Sequence, residues 1–210
     1  MVAFGESFIP GFPIWASVLR PVNQHRFYIE LYHNAMEIGD KHFKKLQEIA
    51  STHHVCLSLG ITERDSNSPG TMWNTNLLLG PNGELLNRHR KLVPTHAEKL
   101  VWAYGDGSGL KAVDTDIGRI GVLICGENTN PLAGFALLAQ GEQIHIATYP
   151  PAWPFGGSGN LAYDLTESIR IRVVAHSFEG KFSLLLHPDV LDDDAAKKVC
   201  GDDGRCRDCL

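Results

Sequence analysis

Short apolar runs with the composition of buried strands alternate along this chain with segments whose apolar residues recur at helical spacing, and that alternation restricts it to the α/β class. Val2-Ala3-Phe4 reads as a short strand ending at Gly5-Glu6. Phe27, Leu31, Tyr32, Ala35 and Met36 then recur with helical period, and a second helix begins behind Asp40 as N-cap, with Phe43, Leu46, Ile49 and Ala50 on its inner face. His54 to Ile61 reads as a strand. Thr75 to Leu79 and Leu85-Leu86 form a hairpin about Pro81-Asn82-Gly83, and a second hairpin turns at Asp116-Ile117-Gly118. Arg119 to Ile124 is apolar enough for a central strand, and Pro131 opens a helix that Gly141 stops. Gln143 to Tyr149 is a further strand. A Pro/Gly/Trp-rich loop from Pro150 to Gly159, a helix from Leu161 to Phe178 and a strand from Lys181 to Leu186 complete the pattern.

At 210 residues with 43% hydrophobic composition the chain can bury a sizeable core, and one domain over residues 1–188 is expected. Beyond Pro188 the sequence has charge and three cysteines but little apolar periodicity, so residues 189–210 are expected to form a poorly ordered tail. A formal charge of -5 with scattered basic residues argues against nucleic acid as a partner. No apolar stretch approaches the ~20 residues a membrane span needs, and Met1 to Gly5 lacks the basic start of a secretory signal. The expectation is a soluble, cytoplasmic protein without a membrane partner. The five cysteines are odd in number and lack framework spacing, which favours reduced thiols.

Cys125 falls where the central strand gives way to a helix, the edge at which ligands of open α/β sheets gather. A helix N-terminus and a nearby cation would favour the thiolate, the form that attacks. Taken alone, the residue reads first as one more small buried hydrophobe. Glu6 alone reads as a solvated carboxylate, and Lys91, following Arg88, His89 and Arg90, as part of a charged face.

Three segments read jointly change this. Phe4-Gly5-Glu6-Ser7-Phe8-Ile9-Pro10-Gly11-Phe12-Pro13, then His89-Arg90-Lys91-Leu92-Val93-Pro94-Thr95-His96-Ala97-Glu98, then Ile124-Cys125-Gly126-Glu127-Asn128-Thr129-Asn130-Pro131-Leu132 resemble, in content and order, the three active-site segments of the nitrilases, a branch of the carbon-nitrogen hydrolases. The resemblance extends through Leu59 to Asp65, Val101 to Ser108, Tyr149 to Pro154 and Ala175 to Lys181. It looks closest to fungal members, some of which have glycine after the cysteine, as Gly126 is here.

The resemblance implies an α-β-β-α sandwich in which Cys125 is the nucleophile, Glu6 the general base, Lys91 the electrostatic stabiliser and Glu98 a supporting carboxylate. It implies a small-molecule nitrile as substrate, hydrolysis to a carboxylic acid and ammonia, no cofactor, and homo-oligomers. The family's strand-helix unit ahead of the Glu6 segment and its strands beyond Leu186 have no counterpart here, so the sandwich is expected to be incomplete at both ends. Hydration of a nitrile or cyanide to an amide is the alternative chemistry, and a truncated, non-catalytic relative the alternative class.

Further residues have two readings each. Glu127 and Asn128 line the substrate site or belong to an ordinary helix start before Pro131. Trp153 forms the pocket wall or packs on the core. His176 reads as a hydrogen-bonded structural histidine rather than a catalytic one. No metal is expected: Cys200, Cys206 and Cys209 depart from the paired spacing of zinc sites, and Gly105 to Gly109 fits neither the phosphate-loop nor the dinucleotide fingerprint.

Overall fold

The computed structural model describes residues 1–151 and 165–188. The elements run β1 (Val2–Ala3), α1 (Trp15–Val18), α2 (His25–Asn34), α3 (Lys41–His53), β2 (Leu57–Arg64), β3 (Met72–Leu79), β4 (Leu85–Arg90), β5 (Val113–Thr115), β6 (Gly118–Ile124), α4 (Pro131–Leu138), β7 (Ile144–Tyr149), α5 (Leu165–Gly180) and β8 (Ser183–Pro188). Two four-stranded sheets result, ordered β1-β2-β3-β4 and β5-β6-β7-β8.

Local chemistry explains most of these boundaries. The Asp40 carboxylate accepts from the backbone N–H groups of His42 and Phe43 and so caps α3, as expected. Asn130 caps α4 in the same way, with Pro131 at the first helical position and Gly141 at φ +76° beyond the end. The β3–β4 hairpin turns at Gly83 with φ +83°, and β5 pairs with β6 across Asp116-Ile117.

Three expectations need correction. The strand read from His54 begins only at Leu57, because His54 adopts φ +50° and closes the C-terminus of α3 in the left-handed region. The helical reading through Ala35 and Met36 overshoots: α2 ends at Asn34, and Met36 instead bridges to Glu63 beside β2. Ile49 is 39% exposed rather than on the inner face of α3, where Phe43, Leu46 and Ala50 are buried. It borders an open apolar groove with Val2, Phe4, Phe8 and Leu46.

Packing follows strand alternation. On β3, Leu77 and Leu79 join Phe43, Leu46 and Ala50 of α3, with Leu57, Leu59 and Ile61 of β2 in the same cluster. Leu78 points the other way and meets Ile120 and Val122 of β6 and Ile146 of β7, forming the seam between the sheets. Leu123 packs outward against Ala133 and Leu137 of α4, and Ala147 and Tyr149 pack with Val173 of α5. The layers are therefore helix, sheet, sheet, helix, an α-β-β-α sandwich. Each fully buried aliphatic side chain here contributes roughly 1.5–3 kcal/mol.

Candidate active site

Glu6 lies in the loop after β1, Lys91 directly after β4, and Cys125 directly after β6. Both sheets thus contribute to one site at a common end.

The Glu6 loop is held against β2. Ile9 N–H donates to Gly60 O, Thr62 N–H donates to Ile9 O, and the hydroxyls of Ser7 and Thr62 are 2.9 Å apart. The approach is possible because Gly60 has no side chain: a Cβ there would overlap the Gly5 carbonyl oxygen and the Ser7 nitrogen. Across the seam, Glu6 N–H donates to the Tyr149 carbonyl at 3.3 Å.

Lys91 is completely buried between two carboxylates. Its Nζ donates to Glu6 Oε1 at 2.7 Å and to Glu98 Oε2 at 2.7 Å. Glu98 is fixed in turn by the Thr95 backbone N–H at 2.9 Å, within a capped 3-10 turn over His96–Leu100. Asn74 on β3 ties the pair together: its carbonyl accepts from Lys91 N–H, and its side-chain amide donates to Glu6 Oε1 at 2.6 Å. The spacing of β3 gives no hint of this role for Asn74.

Cys125 opens a 3-10 turn, Cys125–Thr129, that precedes α4. It adopts φ +50°, a left-handed conformation that strains a residue with a Cβ and is enriched at functional sites. The thiol is buried among Ile124, Ala147, Tyr149 and Val173.

Electrostatics bind the three groups into one system. Burial pushes the Glu6 carboxyl up, Lys91 pulls it back and Glu98 pushes it up again, leaving it at about 7. Burial works against the Lys91 ammonium, but the charges of Glu6, of Cys125 when it is ionised, and of Glu98 outweigh this and hold it above the usual lysine range. Burial raises the Cys125 thiol above its ordinary value, Glu6 and Glu98 raise it further, and Lys91 and the Gly126 N–H oppose them. The resting group is a thiol beside a carboxyl that titrates near neutrality. Such a pair can deprotonate sulfur as it attacks and return the proton elsewhere, with a fixed ammonium facing any developing negative charge.

Glu127 and Asn128 have their polar atoms engaged within the protein. Glu127 accepts from Leu92 N–H at 2.6 Å and Ile124 N–H at 2.8 Å, and lies 2.8 Å from His89 Nε2. It joins the end of β4 to the end of β6 and so couples Lys91 to Cys125. Asn128 donates to the Leu123 and Cys125 carbonyls, and its Oδ1 contacts His145 Nε2 at 2.9 Å. His145 pairs with Glu142, which also holds His176 at 3.1 Å, the structural use expected of that histidine. Gly121 makes room for this cluster, since a Cβ there would overlap the Glu142 carboxylate. Sequence reasoning gave no role to Asn74, Gly60, His89, Glu142 or His145. Trp153 and the cysteines at 200, 206 and 209 lie outside the described residues.

Comparison with known proteins identifies the family and the fold. Residues 1–168 match the family model described as carbon-nitrogen hydrolase. Nitrilase 3 of an unknown prokaryotic organism is 35% identical over 203 residues, covering 96% of this chain and 58% of that protein. A nitrilase of Bacillus sp. strain OxB-1 is 38% identical over 75% of this chain and 45% of its own length. A cyanide hydratase of Stereum hirsutum is 38% identical over 78% of this chain and 43% of its own. The chain spans about half the length of the curated relatives it matches. In fold it is similar to the crystal structure of a carbon-nitrogen hydrolase from Helicobacter pylori G27, with a TM-score of 0.69 over 90% of this chain and 62% of that one at 17% identity.

Proposed function

Because the chain belongs to the carbon-nitrogen hydrolase family, we propose that it hydrolyses a small-molecule nitrile to a carboxylic acid and ammonia, with Cys125 as nucleophile. The observation that carries this reading is Lys91 Nζ held 2.7 Å from both Glu6 and Glu98, in electrostatic contact with a buried thiol.

The Glu6 carboxylate takes the thiol proton as Sγ attacks the nitrile carbon, and the C–N π electrons move onto nitrogen, where Lys91 stabilises the charge. Protonated Glu6 returns its proton to nitrogen and leaves a thioimidate. Glu6 then takes a proton from the water that attacks this carbon. Collapse expels ammonia and leaves a thioester, which a second water opens to the acid. Glu98 positions Lys91. If the tetrahedral intermediate expels the thiol instead, the product is an amide. The similarity to the Stereum hirsutum cyanide hydratase keeps that branch as the second reading.

The test is product analysis of the purified chain against aliphatic, aryl and arylacetonitriles and cyanide. Ammonia with the acid supports hydrolysis, amide supports hydration, and no product from any of them refutes both.

A pH profile checks the base. The free enzyme requires Glu6 as carboxylate, and its carboxyl titrates at about 7. With an uncharged nitrile, kcat/KM is therefore expected to rise with pH, falling about tenfold per pH unit below 7 and levelling off above it. A profile flat from pH 5 to 9 removes Glu6 from the role.

The outer helices support self-association as part of this reading. On α4 Leu132 and Phe135, and on α5 Ile171, Val174 and Phe178, are exposed, and the two helices touch where His176 meets Gly134. Sedimentation velocity is expected to show homo-oligomers that Phe135→Ser with Phe178→Ser dissociates. A monomer at micromolar concentration contradicts this. Among the described residues no helix is long and apolar enough to cross a membrane. We assign the reaction to the cytoplasm, in keeping with the free thiols of Cys56 and Cys125, and cell fractionation tests the assignment.

A further inference from the structure

Among the described residues, the end of β7 holds two buried hydroxyls without a hydrogen-bond partner, Thr148 and Tyr149, and the second packs with Cys125. Tyr149 ends β7, and its carbonyl accepts from Glu6 N–H. Its ring packs in the same apolar cluster as Cys125. The side chain is 6% exposed, yet the phenolic oxygen has no hydrogen-bond partner among the described residues. Burial raises the phenol above its ordinary range, the charges of Cys125 and Glu6 raise it further, and Arg172 opposes them, so the hydroxyl is within electrostatic reach of both reacting groups.

A buried, unpaired hydroxyl destabilises a fold, and a phenylalanine would fill the same space without that cost. Two further orphans lie in the same site: Asn74 Oδ1, and Glu6 Oε2, which is buried and unpartnered while its Oε1 is fully engaged. Of these, Glu6 Oε2 and the Tyr149 hydroxyl belong to groups coupled to the Cys125 thiol, and they leave hydrogen-bonding capacity for a ligand atom bonded to that sulfur. Glu6 Oε2 matches the proton-transfer role already assigned to it. The phenol, a donor with no acceptor, matches an atom that gains negative charge.

We propose that Tyr149 is a further catalytic residue, its hydroxyl donating a hydrogen bond to the substrate nitrogen as Cys125 attacks and sharing with Lys91 the charge that gathers there. The proposal rests on the nitrile reading for the identity of that atom. No proton leaves the phenol in this step.

Tyr149→Phe in the full chain tests it. The expected result is a fall in kcat of about 10²-fold with KM little changed, the signature of a donor acting in the transition state. The melting temperature is expected to hold or rise, because the orphan hydroxyl is gone. A variant that melts well below wild type and loses activity in proportion assigns Tyr149 a structural role and overturns the proposal, as does an unchanged kcat.

A second measurement separates this proposal from the nitrile reading. Benzaldehyde adds reversibly to a cysteine thiol: the sulfur–carbon bond forms, the carbonyl π bond opens and the thiol proton passes to oxygen, giving a thiohemiacetal whose oxygen takes the place of the nitrile nitrogen. Its affinity is read as protection of the Cys125 peptide from iodoacetamide by mass spectrometry. Tyr149→Phe is expected to weaken that protection at least tenfold, and equal protection overturns the proposal. A wild-type chain that binds the aldehyde tightly but turns over no nitrile refutes the nitrile reading, while the aldehyde comparison still decides on Tyr149.

Discussion

Cys125→Ala is expected to lower kcat by about 10⁴-fold or more while leaving the melting temperature within a few degrees of wild type. The rate is lost because, in the proposed mechanism, both covalent intermediates form on this sulfur. The fold is spared because the thiol, raised above its ordinary value by burial and by Glu6, is neutral at rest and makes no ion pair that the protein needs. Its removal leaves a small void among Ile124, Ala147, Tyr149 and Val173, with a cost of about 1 kcal/mol. Ammonia release and calorimetry on the same preparation give both numbers. Turnover that persists in the alanine variant moves the chemistry to another group.

Lys91→Met is expected to do damage of a different kind, abolishing turnover and lowering stability by about 3–5 kcal/mol near pH 8. Wild-type Lys91 is the cation between Glu6 and Glu98, and all three are buried. Methionine fills the volume but leaves two carboxylates facing each other without a counter-charge. The sign with pH follows. Loss of the ammonium sends the Glu6 carboxyl further above its value of about 7, whereas in the unfolded chain it ionises near 4.5. A carboxyl raised in the folded state loses stability as pH climbs from its unfolded value towards its folded one. Urea melts should therefore show a smaller deficit for the variant at pH 5 than at pH 8. An equal deficit at both attributes the loss to packing rather than to charge.

Much of the framework was legible because it is written in local chemistry. Asp40 announces the start of α3, Pro131 and Gly141 bracket α4, and Asn82-Gly83 sets the β3–β4 turn. Where the reading failed, the deciding contact was not local. His54 takes a left-handed cap that glycine or asparagine usually marks, so nothing announced that β2 starts only at Leu57. Ile49 has the spacing of an inward residue, but the groove it borders is open.

The site divides along the same line. Glu6, Lys91 and Cys125 are far apart in sequence, and only their resemblance to three known segments joined them before the two sheets did. Asn74 and Tyr149 occupy unremarkable strand positions, and their importance comes from which side chains stand across the layer. Glu127 looked equally like a ligand contact or a helix start. Its hydrogen bond from Ile124 N–H is the carboxylate half of a capping box at the 3-10 turn, as the helix-start reading has it, and its bond from Leu92 N–H ties that turn to the end of β4.

That the proposed nucleophile comes from one sheet while the proposed base and cation come from the other has a consequence for how this protein would fail. Under the proposed mechanism activity depends on an alignment that no single layer contains, so catalysis is expected to be sensitive to slippage along the plane where Leu78 meets Ile120, Val122 and Ile146. An offset of about 1 Å between reacting groups can cost 10²-fold in rate. Trimming a methyl from one of these residues would leave each half internally intact while the halves drift out of step. On gentle heating or in dilute urea, such a variant would lose turnover well before its spectroscopic unfolding transition, and catalysis would report slippage between the halves earlier than any global probe.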